Sequence, residues 1–268
     1  MAMNYPTSLV AVRSQEQPRI RRIGLDDLRL ALASGWRDFD ATPTQLVFLG
    51  VIYPVVGLVA ARAASGGQLL PLLWPLLAGL SLLGPVTALG LYEISRQREL
   101  GRPTSWLTAF QALRAPGMSS IIVLGIYLLA LFVLWITSAQ ALWDGIMGPL
   151  GRSPTGLSDL ADMVLRTPEG IRLLLWGNLT GLGFALAAFV MTAISFPLLL
   201  DRPVDPGTAM LTSWRAVKLN PVPMLCWGLL VAVLLVMASL PLFVGLAVLM
   251  PWLGHSTWHL YRRVVEKL

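Results

Sequence analysis

Residues 219–261 read LNPVPMLCWGLLVAVLLVMASLPLFVGLAVLMPWLGHSTWHLY, 43 residues without an Asp, Glu, Lys or Arg. At about 1.5 Å of rise per residue the stretch would run roughly 65 Å as one helix, twice the hydrocarbon thickness of a bilayer. It reads as two crossings. They part at Ala238-Ser239-Leu240-Pro241, because proline removes a backbone donor and clashes with the turn before it. The same charge-free signature recurs over residues 41–61, 63–92, 115–143 and 173–200. Six transmembrane helices are therefore expected, near 43–62, 68–94, 117–142, 170–199, 221–238 and 241–261.

Bulk composition agrees. Of 268 residues, 56% are hydrophobic and only 13% charged, and the mean hydropathy is +0.69. Soluble domains carry about 25% charged residues, and a surface this poor in charge would leave apolar patches far larger than soluble monomers tolerate. A water-soluble enzyme, a disordered chain and a disulfide scaffold are excluded. Cys226 is the single cysteine, which rules out an internal disulfide and any cage of several thiolates.

The formal charge of +6 reads as lipid-facing electrostatics rather than nucleic-acid binding, because the basic residues fall on one side of the expected bundle. Arg13, Arg19, Arg21, Arg22, Arg29 and Arg37 precede the first span. Arg96, Arg98, Arg102 and Arg114 lie between the second and third, Arg202, Arg215 and Lys218 between the fourth and fifth, and Arg262, Arg263 and Lys267 after the sixth. Those segments hold 16 of the 20 basic residues, so by the positive-inside rule both termini are cytoplasmic. The first 20 residues contain no apolar signal core, and the first span is expected to act as an uncleaved insertion signal. Arginine outnumbers lysine 18 to 2, as in a high-GC bacterial gene, and the expected site is the bacterial inner (cytoplasmic) membrane.

Each odd-numbered span follows a short amphipathic segment. In the first, Leu25, Leu28, Leu32, Trp36 and Phe39 recur at helical spacing, while Asp26, Asp27, Arg29, Arg37 and Asp38 take other faces. In the second, Trp106, Phe110 and Leu113 form the stripe. The third opens on Asp205-Pro206, a cap followed by proline at the first helical position, and continues with Met210, Trp214 and Val217. Trp36 and Trp214 each lie seven residues before a proline, whereas Trp106 lies ten before Pro116. The unit of interfacial amphipathic helix plus transmembrane hairpin thus repeats three times, at about 25–94, 103–199 and 206–262. Residues 1–22 form a flexible cytoplasmic N-terminus and 23–268 a single all-α, six-helix membrane domain.

Trp36, Trp106 and Trp214 are expected to anchor the three segments at the interface, with a cytoplasmic gate or docking surface as the alternative. Between Asp144 and Gly170, Ser158 reads as the cap of a short helix and Thr167-Pro168-Glu169 as the start of the fourth span. Gly177 and Gly181 form a GxxxG, the small-residue spacing that lets membrane helices approach closely.

Nothing in the sequence matches G-x-S-x-G, G-x-x-x-x-G-K-[ST], H-E-x-x-H or C-x-x-C, and no enzyme or cofactor is expected. Acids near the spans, Glu93, Asp144 and Asp201, fall at span ends, which argues against a proton-driven transporter. His255 and His259 share a helix face, and Glu93 and His259 each follow a proline by eight residues. If the repeats converge, Glu93, His255 and His259 form a two-nitrogen, one-carboxylate metal site; the alternative is a pair of hydrogen-bonding histidines in an aromatic belt.

The strings Gly90-Leu91-Tyr92-Glu93-Ile94-Ser95-Arg96, Gly254-His255-Ser256-Thr257-Trp258-His259-Leu260-Tyr261-Arg262 and Gly35-Trp36-Arg37-Asp38-Phe39 resemble an uncharacterised family of bacterial integral membrane proteins, a domain of unknown function. Some of its members carry the label cytochrome c oxidase subunit I. The resemblance runs over about residues 20–265, implies a membrane protein and brings no catalytic residues with it. A catalytic haem–copper subunit needs about six histidine ligands on several helices, and this chain has two on one. The expected role is that of a non-enzymatic accessory or assembly factor of a membrane complex, a respiratory oxidase being the candidate the label suggests. The rival readings are a channel or transporter for a lipid or small solute, and a metal-handling protein.

Overall fold

The computed structural model describes residues 17–42, 44, 70–72, 74–76, 84–241 and 243–267. The expected first span, 43–62, and much of the second, 68–94, lie outside them. Among the described residues the regular structure is helical, and extended backbone pairs once, in an antiparallel bridge between Ile20 and Val265.

The main helices are α1 (Leu25–Ala41), α2 (Leu89–Glu99), α3 (Met118–Ile146), α4 (Leu157–Arg166), α5 (Pro168–Thr192), α6 (Ser195–Asp201), α7 (Pro206–Leu219), α8 (Pro221–Ser239) and α9 (Leu246–Val264). Among the described residues, three stretches are long and apolar enough to cross a membrane: Met118–Leu150, Pro168–Asp201 and Pro221–Ser239. They correspond to the expected third, fourth and fifth spans. The long charge-free run breaks where proline predicts it, α8 ending at Ser239 and α9 beginning at Leu246, with Phe243 in the left-handed region (φ 65°) between them.

Local chemistry explains the helix starts. Thr167 caps α5 by accepting from Gly170 N at 3.0 Å, and Asp205 caps α7 by accepting from Thr208 N at 2.9 Å, each with proline next in line. Ser158 does not cap α4, which begins one residue earlier; Asp159 instead fastens the preceding loop, accepting from Thr155 N at 2.9 Å and pairing with Arg152. The expected fourth span is broken between Thr192 and Ser195. Pro197 cannot donate to the turn before it, Ser195 Oγ turns to Met191 O and Ala209 O, and Ile194 N finds Ser213 Oγ across the break.

The amphipathic segments present their faces unexpectedly. The second is a 3-10 helix, Trp106–Arg114, that buries Thr108 and Ala112 and exposes Trp106, Phe110 and Leu113. In α7 the buried face is Ala209, Thr212, Ser213 and Ala216, with Leu211 and Trp214 outside. Small residues seat these segments on the bundle, and the bulky apolar ones point away from it. In α1 the buried residues are Leu28, Ala31, Gly35, Asp38 and Phe39. That face lies against α9 so closely that a Cβ on Gly35 would fall 2.1 Å from Ser256 Oγ and 2.6 Å from Ser256 Cα.

The core sits at the end where both termini meet. Phe196, Leu198, Leu199, Leu200, Trp258 and Tyr261 are buried there, joined by Ile121, Leu124 and Leu128 of α3 and by Met224 and Trp227 of α8. A smaller cluster of Trp143, Met147 and Met163 closes the far end under α4. Between them the crossings are thinly covered: 22% of the most apolar window of Met118–Leu150 and 17% of that of Pro221–Ser239 are buried. The end of the expected flexible N-terminal arm, residues 17–22, runs beside the C-terminal segment, with Arg21 N donating to Val264 O at 2.7 Å and Glu266 N to Arg19 O at 3.0 Å.

The Gly35–Ser256 approach leaves no room for a methyl group without moving backbone. Gly35→Ala is expected to cost about 1–3 kcal/mol and lower the thermal unfolding midpoint in mild detergent. Gly177→Ala, whose Cβ meets nothing within 4 Å, is expected to leave the midpoint unchanged.

Candidate functional site

Where α1, α2 and α9 meet, one carboxylate gathers three side chains and, through one of them, a fourth. Asp38 is three residues past Gly35 and seven past Ala31, so it continues the face of α1 that packs on α9 and is buried, not turned aside as its polarity suggested. Its Oδ2 accepts from Ser95 Oγ at 2.6 Å and from His259 Nε2 at 2.7 Å; its Oδ1 accepts from Arg98 Nε at 2.8 Å. Ser95 Oγ also lies 2.8 Å from His255 Nδ1.

This pattern fixes the tautomers. An ionised carboxylate only accepts, so the Ser95 hydroxyl hydrogen goes to Asp38 and His259 carries its proton on Nε2. The His255–Ser95 contact then needs its hydrogen from Nδ1, which leaves His255 Nε2 bare. That nitrogen is buried and has no hydrogen-bond partner. Burial by itself would raise the pKa of Asp38, but the hydrogen bonds from His259, Ser95 and Arg98 outweigh it and hold the pKa at about 2.

A second knot lies beside the first. Arg262 donates to Asp201 through Nη1 and Nη2 at 2.7 and 2.9 Å and to Glu99 through Nε at 2.8 Å, and its guanidinium stacks 4.7 Å from the Trp258 ring centre. Tyr261 Oη donates to Asp201 at 2.6 Å. Burial opposes ionisation of Glu99, yet Lys267 and Arg262 overcome it and lower its pKa.

The expected metal triad does not assemble. Glu93 is buried, but its carboxylate faces its own helix, taking Arg96 Nε and Nη2 at 2.8 and 2.9 Å and Gln97 Nε2 at 2.5 Å. His255 and His259 are brought together through Asp38 without it. Among the described residues no group of three His, Cys, Asp or Glu side chains is placed to hold a metal ion. Thr192 and Ser195, at comparable depth, spend their hydroxyls on helix carbonyls. The sequence reading missed Asp38 and Ser95; the signal for Asp38 was its spacing from Leu28, Ala31 and Gly35, whereas Ser95 offered none.

Trp36, Trp106 and Trp214 are each close to half exposed, at 44%, 49% and 46%. Gly181 is used inside the bundle, where the Trp135 ring would lie 3.0 Å from an added Cβ, while Gly177 stands open. Both line a groove of about 620 Å³ between α3, α4, α5 and the chain's own Pro71, Trp74 and Pro75, walled also by Trp135, Trp143 and Leu160. Asn178, exposed on the same wall, donates Nδ2 to Leu174 O at 2.7 Å. A second cavity, about 260 Å³, lies between α2, α5, α8 and α9, with Tyr92, Thr192 and Thr257 among mostly apolar neighbours.

Residues 73–201 match the family model described as a predicted integral membrane protein (DUF2189). The match covers just under half of the chain, and the matched family agrees with the uncharacterised membrane-protein family that the sequence resembles. The match takes in Gly90–Arg96 but neither residues 35–39 nor 254–262, so it covers one of the three strands of the Asp38 network. None of the curated proteins and none of the solved structures compared with the chain matches it.

Asp38 contributes stability that is complete above its unfolded pKa near 4 and is lost as pH falls through about 2. A two-unit depression corresponds to about 2–3 kcal/mol. Asp38→Asn is expected to lower the unfolding midpoint clearly at pH 6, and the gap to the unaltered protein should shrink as both are taken toward pH 2.5. A constant gap would mean that the carboxylate's charge is not what holds the junction.

Proposed function

We propose that the protein is a non-enzymatic, multi-pass protein of the bacterial inner membrane that serves as an accessory or assembly subunit of a membrane complex, with a respiratory oxidase as the candidate complex. In this reading six spans form three repeats of interfacial helix and hairpin, with both termini cytoplasmic. The concentration of Arg and Lys at the end where the termini meet supports that orientation. The outward Trp106, Phe110, Leu113, Leu211 and Trp214 suit segments lying in the headgroup layer.

The observation that carries the reading is Asn178. It sits ten residues, roughly 15 Å, along α5, exposed beside an open Gly177 in an apolar groove. An amide facing hydrocarbon is costly, and in membrane helices such groups pay their way by bonding across to a neighbour. A glycine next to it allows that neighbour's backbone to come close. The surface is built to receive a helix from another chain, with lipid filling the remaining exposed faces.

The smaller cavity between α2, α5, α8 and α9 supports a second reading, a channel or transporter for a lipid or small solute. Its apolar lining suits an acyl chain better than an ion.

Purification of the tagged protein from its native membrane in mild detergent, followed by mass spectrometry, separates the two. Stoichiometric recovery of other subunits is expected, together with its loss in a Gly177→Leu, Asn178→Leu variant that keeps its helical circular dichroism. Recovery alone or with lipid only would move the assignment to the transport reading.

A further inference from the structure

The Asp38 junction opens onto a cavity of about 560 Å³, a volume within the roughly 300–1,000 Å³ of small-molecule sites. Its walls are the N-terminal segment before α1, the ends of α2 and α9, and Lys267. Six cations face it, Arg21, Arg22, Arg98, Arg262, Arg263 and Lys267, against three carboxylates. All three carboxylates are already engaged. Asp27 holds Arg263 at 2.9 Å, Asp38 holds Arg98 at 2.8 Å, and Glu99 holds Arg262 at 2.8 Å and Lys267 at 2.5 Å.

Beyond the walls, Asp201 takes the remaining nitrogens of Arg262, and Glu266 lies 3.7 Å from Arg21. Arg22 has no hydrogen-bond or ion-pair partner among the described residues, and Arg21 has one long ionic contact. The Arg22 guanidinium therefore lines a concave space with its fork uncommitted, and Arg21 lines it too with only a long contact to Glu266. We infer that this cavity binds a phosphate group, carried by an anionic lipid or free in solution.

The chemistry is that of the planar guanidinium, whose paired N–H groups match two phosphate oxygens and keep their charge at any working pH. The paired cations on the walls are held in place and largely neutralised by their carboxylates, which leaves Arg22 as the uncommitted positive charge. Basic pockets between membrane helices bind lipid phosphates in this way.

The full chain, stripped of lipid in mild detergent, is titrated with dioctanoyl phosphatidylglycerol, with dioctanoylglycerol lacking the phosphate, and with inorganic phosphate, binding being followed by native mass spectrometry and calorimetry. Saturable binding of a phosphate-bearing probe is expected, weakened about tenfold or more by Arg22→Gln. Arg29→Gln makes the same change of charge on an 85% exposed side chain outside the cavity and should leave binding unaltered. Binding of the phospholipid alone identifies a headgroup site, and binding of inorganic phosphate with the same dependence on Arg22 identifies free phosphate. Absence of saturable binding, equal binding of dioctanoylglycerol, or equal losses in the two variants would overturn the inference.

Discussion

The junction of α1, α2 and α9 depends on the Asp38 carboxylate being charged and fully hydrogen-bonded inside the protein. Taking a carboxylate out of water costs several kcal/mol, and the cost is recovered only when its lone pairs are filled in good geometry. Ser95, His259 and Arg98 fill them from two different helices. A small displacement of any helix would leave a buried charge unpaired. The close passage of Gly35 against Ser256 serves the same end, since it lets α1 approach α9 near enough for the 2.7 Å contact between Asp38 and His259. Backbone proximity and polar closure thus require one another.

This matters more in a membrane than it would in water. Between two apolar helices in lipid there is no hydrophobic gain, because acyl chains solvate leucine as well as another helix does. The thin coverage of α3 and α8 is consistent with that balance. Specific assembly must come from groups that lipid cannot satisfy, and these are concentrated at one end: Asp38 with Arg98, Asp201 with Arg262 and Tyr261, Glu99 with Lys267. The positive residues on which the sequence-based expectation of orientation rests thus include ones that lock the helix ends together.

How far the sequence reveals this follows from the range of each interaction. Spans are legible because bilayer thickness acts on runs of residues, and the prolines at 168, 206 and 221 mark helix starts because their effect is local. The break at Thr192–Ser195 depends on Ser213, eighteen residues downstream of Ser195, and is not visible in the apolar pattern alone. Glu93 looked equivalent to His259 by its distance from a proline. Its nearest partners, though, are Arg96 and Gln97 at three and four residues along the same helix, and those local bonds win. Asp38 was set aside as polar although it stands on the packing face; only the position of α9 reveals that the face needs an anion.

The direction of the hydrogens in the network bears on what such a junction can do. Proton relays need each member to donate on one side and accept on the other. Here His255 donates to Ser95, Ser95 to Asp38, and His259 and Arg98 to Asp38, so every hydrogen points toward one oxygen pair. Passage through Asp38 would require protonating a group whose pKa is held at about 2. At pH 7 that is five units uphill, about 7 kcal/mol, before any rearrangement of its donors. His255, at the inner end, has a buried nitrogen that makes no hydrogen bond among the described residues. The junction is therefore a clamp on three helices, set beside a cavity where Arg22 has no partner among the described residues.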